Sequence, residues 1–244
     1  MVEERVAPGD NLDGYLARWA EQLLLPAHEV VASEFTEVAK AARGIADRIK
    51  AGGRWLTFGA GHSWSIAAEA CSRAGGIPGV VAMHLEDVTG PKVMQWETLA
   101  DSLPEREVVN GTKLAEFYSL SAKDALLIVS NSARNGACVE LAQTAQRVGC
   151  FLVVITSKRH SAAVASRHPS GAKVTDFADV VLDNHGVEGD AIIELKEGIV
   201  VGGTSTIAGA LLAQLVSTAV SQLLLGSGFS ALRSANLDPV DQSS

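Results

Sequence analysis

Cysteine is scarce in this chain: Cys71, Cys138 and Cys150 are the only three in 244 residues. An odd count without C-x-x-C spacing argues against a disulfide framework and against a cysteine-held zinc. Basic side chains are also in deficit, 20 Lys and Arg against 28 Asp and Glu, for a formal net charge of -8. That balance does not suit nucleic acid or an anionic membrane as the main partner. The longest apolar stretch, 207–225, is interrupted by Gly209, Gln214, Ser217, Thr218, Ser221 and Gln222. It reads as a buried or interface helix and poorly as a membrane span. The opening residues, MVEERVAPGDNLDGY, are acidic and polar rather than a signal peptide, so a cytoplasmic protein is expected. Several chemical motifs are missing too: H-E-x-x-H, the G-x-x-x-x-G-K-[ST] loop and G-x-S-x-G do not occur. The G-x-G at 59–61 lacks the third glycine of a dinucleotide fingerprint, because position 64 is Trp. No cofactor and no metal are therefore expected.

What is present is a chain with 47% hydrophobic residues, enough for one large α/β domain with a helical extension. Strand-like runs at 55–58, 80–85, 125–130, 151–156 and 179–182 alternate with helical patterns near 63–74, 110–119, 135–148 and 160–165. The alternation implies right-handed crossovers and a mostly parallel sheet. Residues 192–201 suggest a further strand or a hairpin about Glu197-Gly198, and 205–225 a last helix. Two helices are expected before the sheet, 12–25 and 27–51, separated by Pro26. Leu12, Leu16, Trp19 and Leu23 would line the first, and Val31, Phe35, Val38, Ala42, Ile45 and Ile49 the second. The expected division is a helical extension over 1–52, a core domain over 53–230 and a tail over 231–244.

The most informative segment is ALLIVSNSARNG, 125–136, where an apolar run stops in small hydroxyl and amide residues before a helical pattern begins. The first N–H groups of a helix are unpaired and carry partial positive charge, so a hydroxyl-rich helix start suits a phosphate. The plainer alternative is that Ser132 or Asn135 only caps the helix. The same design recurs at Gly59-Ala60-Gly61-His62-Ser63, where Ser63 can cap a helix, and at Gly202–Thr206, where Thr204, Ser205 and Thr206 precede a long apolar helix. In a parallel sheet, ligands sit beyond the carboxyl ends of the strands, where both of the first two loops fall.

GAGHS at 59–63, SNSARN at 130–135 and TSTIAG at 204–209 resemble the phosphosugar-binding loops of the SIS (sugar isomerase) domain. SRHPSG at 166–171, DNHGVEGDA at 183–191 and RSANLD at 233–238 resemble a bacterial single-domain, phosphoheptose-isomerase-like subgroup. The resemblance covers about residues 12 to 240. It implies a three-layer, flavodoxin-like, doubly wound and mostly parallel five-stranded sheet with an N-terminal helical hairpin. It also implies a sugar-phosphate ligand and a homodimer or homotetramer. On that reading Ser130, Ser132, Asn135, Thr204, Ser205 and Thr206 bind the phosphate, and Gly59, Gly61, Ser63 and Asn131 contact the rest of the substrate.

Aldose–ketose isomerisation needs a base that moves a proton between adjacent carbons. Glu69 and His62 are the catalytic candidates, since 62, 66, 69 and 73 fall along one helical stripe. The alternative for Glu69 is a solvated i, i+4 pair with Arg73. SIS isomerases of this type carry their helix carboxylate about one turn later, where this sequence has Arg73. His185, Glu188 and Asp190 of the DNHGVEGD loop are further candidates, with a plain turn as the alternative. A non-catalytic sugar-phosphate sensor is the other class of function, although 12–52 offers no basic recognition helix.

Overall fold

The computed structural model describes residues 12–71, 73–90 and 103–234; the first eleven residues, and the part of the expected tail beyond 234, lie outside them. Five strands form one parallel sheet: β1 (Trp55–Gly59), β2 (Val81–Met83), β3 (Ala125–Val129), β4 (Phe151–Thr156) and β5 (Val180–Asp183), in the order β2-β1-β3-β4-β5. Every residue of β1 and β3 is buried, as apolar runs covered on both faces require.

Helices α1 (Leu12–Ser33), α2 (Phe35–Lys50), α3 (Ser63–Glu69) and α8 (Ser205–Leu224) cover one face; α4 (Glu86–Thr89), α5 (Val109–Phe117) and α6 (Gly136–Val148) lie on the other. Strand alternation divides the core accordingly. Leu127 and Val129 pack with Ala42, Ile45, Ile66 and Leu212, whereas Leu126 and Ile128 pack with Leu114, Val139, Leu141 and Ala142. α8 is long and apolar enough by composition to cross a bilayer, but its Ala208, Leu212, Val216 and Val220 are core residues here. A short α7 (Lys158–Ala163) follows β4, and β6 (Ala191–Lys196) pairs antiparallel with β7 (Ile199–Gly203) about Glu197-Gly198.

Two expectations need correction. Pro26 does not separate two helices: α1 runs through it, and the chain breaks at Glu34, whose φ and ψ are -94° and -3°. Proline forfeits one helical hydrogen bond, yet the break falls at Glu34, whose buried carboxylate accepts from the Asp183 amide at 3.0 Å while the helical bonds Glu34 N to Val30 O (3.0 Å) and Val38 N to Glu34 O (2.9 Å) run across it. Val31 and Phe35, expected on the buried stripe, are exposed on either side of that break.

Candidate functional site

Gly59 pairs with Val129 in the register of β1 and β3, so the chain leaves both strands side by side where strand order reverses. A Cβ on Gly59 would stand 2.4 Å from the Ser63 carbonyl oxygen; glycine lets the first turn of α3 fold onto the strand end. Gly61 takes a left-handed φ of 58° in open space. His62, not Ser63, is the N-cap of α3, and it makes no side-chain cap bond. Its ring is exposed, its carbonyl accepts from the Ser65 hydroxyl at 2.8 Å, and Ser63 is the first helical residue.

The 130–135 loop is held from several sides. Ser130 is buried and turns its hydroxyl to the Cys138 thiol, which burial, and then the charge of Glu105, push up to about 12. The Asn131 carbonyl accepts from the Thr156 hydroxyl at 3.1 Å and the Ser157 amide at 3.2 Å. Its side-chain oxygen accepts from Asn184 Nδ2 at 3.0 Å. Ala133 sits at a φ of 51°, costly for a residue with a Cβ. The bonds from its amide to Ser130 O (3.1 Å) and from the Val174 amide to its carbonyl (3.0 Å) fix it there.

Asn135 is the N-cap of α6 with an extended backbone, yet its side chain does not cap; Oδ1 accepts from Arg167 at 2.7 Å instead. Among the described residues, no side chain accepts from the amides of Gly136 or Ala137, and the half-buried Ser132 hydroxyl has no protein partner. Arg134 and Arg167 stand beside this helix start, joined by the Arg167 amide to the Arg134 carbonyl at 2.9 Å. Partial burial, then the charges of Arg134 and Arg106, hold the Arg167 guanidinium below its ordinary value against the opposing pull of Glu105. Gly136 and Ala137 are themselves buried, beneath the Arg106 carbonyl, so uncapped amides, a hydroxyl and clustered guanidinium groups meet at this helix start, all of them donors to an anion.

The third helix start differs. Gly209 packs on Ile66 and Gln214 reaches Glu69, so α8 and α3 run side by side in the same direction and begin at the same edge. The start of α8, however, already holds a carboxylate. Asp190 Oδ1 accepts from the amides of Thr204 (3.0 Å) and Ser205 (2.7 Å), while Oδ2 accepts from the Ser205 hydroxyl (2.9 Å). The Thr204 hydroxyl donates to Asp190 as well. Thr204 and Ser205 are buried and only Thr206 faces outward. Glu69 lies six residues beyond the α3 start, about 9 Å along the axis. It pairs with Arg73, and its Oε1 accepts from Gln214 at 3.2 Å. His62 and Glu69 thus occupy opposite ends of α3.

A neighbouring group was less legible. His185 follows Asn184 at the end of β5; its Nε2 lies 3.3 Å from Glu34 Oε1 and 3.0 Å from Ser33 Oγ. Asp183 Oδ2 is 3.9 Å from Nδ1. The DNHG motif marked His185, whereas Glu34 carries no local signal: it is a helix-break residue 149 positions from its partner Asp183.

The SIS domain family model matches residues 18–157. A UPF0309 protein of Listeria monocytogenes is 39% identical over 86% of this chain and 86% of its own length. A UPF0309 protein of Halalkalibacterium halodurans is 35% identical over 87% and 88%. Among solved structures, a phosphoheptose isomerase from Neisseria gonorrhoeae superposes with a TM-score of 0.57 at 14% identity, covering 87% of this chain and all of that one.

Proposed function

The chain belongs to the SIS domain family, and from that premise we propose that it binds a phosphorylated sugar where β1 and β3 diverge. The observation that carries this reading is the α6 start: the amides of Gly136 and Ala137, buried but capped by no side chain, with the Ser132 hydroxyl, Arg134 and Arg167 in one place. In a protein of net charge -8, a phosphate dianion must be attracted by such local donors. Ser132 and the amides hold the phosphate, with Ser130 and Asn135 shaping the loop around it. Gly59, Gly61, His62 and Ser63 form the facing wall, and Asn131 and Thr206 border the sugar. Thr204 and Ser205 act through Asp190, which occupies their donors.

Isomerisation of the bound sugar is the finer reading, supported by the likeness to a phosphoheptose isomerase. His62 is free to touch a ligand, whereas Glu69 is engaged by Arg73 and Gln214. That engagement favours, as a second reading, a binder without catalysis. Titration calorimetry with glucose 6-phosphate, fructose 6-phosphate and their unphosphorylated counterparts tests the binding. Measurable affinity for the phosphates alone is expected, and equal affinity for both sets defeats the proposal. Ser132→Ala should weaken phosphate binding about tenfold or more, because a hydrogen bond to a charged group contributes roughly 1.5–3 kcal/mol.

A further inference from the structure

The Glu34–His185–Asp183 group is unused by the binding reading, and its hydrogen bonds dictate a protonation pattern. The Ser33 hydroxyl donates to the Glu29 carbonyl at 2.9 Å, so toward His185 its oxygen can only accept. Glu34 Oε1, on a side chain that is 7% exposed, is likewise an acceptor at 3.3 Å. Both partners therefore demand a proton on Nε2, which leaves Nδ1 of the neutral ring as a lone-pair base. Asp183 Oδ2, 3.9 Å from Nδ1, faces the positive charge that would form there. Asp183 is itself fixed, since Oδ1 accepts from the amides of Lys158 (3.1 Å) and His185 (2.9 Å). His185 holds a φ of 52°, a strained conformation for a residue with a Cβ.

The group also adjoins the proposed ligand. Asn184 donates to Asn131 in the loop preceding α6, so the His185 loop and that loop are directly bonded. β5 lies two strands from β3, a spacing of about 10 Å within the sheet.

We propose that His185 is a catalytic base, oriented by Glu34, that carries a proton to and from the carbon beside the carbonyl of a sugar phosphate held at α6. This rests on the phosphosugar reading. Nδ1 takes the proton; the C–H electron pair becomes the C=C bond of an enediolate, and the carbonyl π pair moves to oxygen. Return of the proton from the imidazolium to the neighbouring carbon, with the hydroxyl proton passing between the two oxygens, gives the isomer. Atoms and electrons balance without a co-reactant.

The test uses the full chain with glucose 6-phosphate and fructose 6-phosphate in heavy water. Wild type should incorporate deuterium at C2. His185→Asn should slow exchange at least about 100-fold while leaving the calorimetric Kd within about threefold. Glu34→Gln supplies a readout that a merely structural role would not move. Its amide oxygen can still accept from the Asp183 amide, but its NH₂ would donate to Nε2 and drive the ring proton to Nδ1. Two-bond proton–nitrogen spectra, recorded well above the ordinary imidazole pKa of about 6.5, should show Nε2–H in wild type and Nδ1–H in this variant, with exchange lost. Undiminished exchange in His185→Asn, Nδ1–H in wild type, or a wild type that binds sugar phosphates without exchanging C2 each overturns the assignment and leaves the binding reading standing. Failure of wild type to prefer phosphorylated over unphosphorylated sugars overturns both.

Discussion

Asp124 shows how one side chain joins two strands before any ligand is considered. Its carboxylate accepts from the Arg54 amide (3.1 Å), Nε (3.0 Å) and Nη2 (2.8 Å), and from the Ser121 amide (3.0 Å) and hydroxyl (2.9 Å). Those bonds tie the entry of β1 to the entry of β3. Burial alone would raise the acid, but Arg54 and Ser121 outweigh it and hold Asp124 below its ordinary value of 3.8. A carboxyl depressed in the folded state stabilises fully above its unfolded pKa, and that stabilisation is lost as pH falls through the lower folded value. Arg54 is 40% exposed, so its half of the pair is screened. Asp124→Asn should therefore cost about 2 kcal/mol at neutral pH. In urea titrations the gap to wild type should narrow below about pH 4; a gap constant down to acid pH would refute the assignment.

At the level of elements, three helix starts that look alike in sequence have different fates. α6 is buried but capped by no side chain, α3 is likewise uncapped, and α8 carries Asp190 over its amides. The internal carboxylate neutralises the α8 dipole where an external anion would otherwise sit. Asp190→Ala removes bonds from two amides and two hydroxyls, and should lower stability by about 2 kcal/mol. Chemical denaturation measures it, and an unmoved midpoint would mean that water serves those donors equally well. The α1–α2 boundary makes the same point: Pro26 was the evident breaker in the sequence, yet the break falls at Glu34, whose buried carboxylate is bonded to β5.

For the whole molecule, the notable feature is apolar surface left uncovered. Leu12, Leu16, Leu24 and Leu25 of α1 are exposed, as are Leu195, Ile199, Val200 and Val201 of the β6–β7 hairpin. Leu23 lies against Gly202, so helix and hairpin meet, and exposed apolar side chains on both are candidates for an interface. We expect two or more copies to associate through it. Light scattering should give a multiple of the 25.5 kDa chain mass, and Leu16→Glu with Val200→Glu should return it to that mass. A wild type that scatters as a single chain would dismiss the interface.

Local physics made much of this protein legible from residue order. Buried strands announce themselves as short apolar runs, and Ser130–Asn135 before an apolar helical stripe marks a donor-rich helix start, because both properties depend on neighbours in the chain. The sheet and the loops at the reversal of strand order therefore follow the sequence closely. Tertiary structure decided which candidates remain available. Glu69 turns to Gln214, Thr204 and Ser205 to Asp190, and His185 to Glu34. Two of these partners stand 145 and 151 residues away, beyond the reach of periodicity or spacing, because the free energy of a polar group is set by what the fold brings against it.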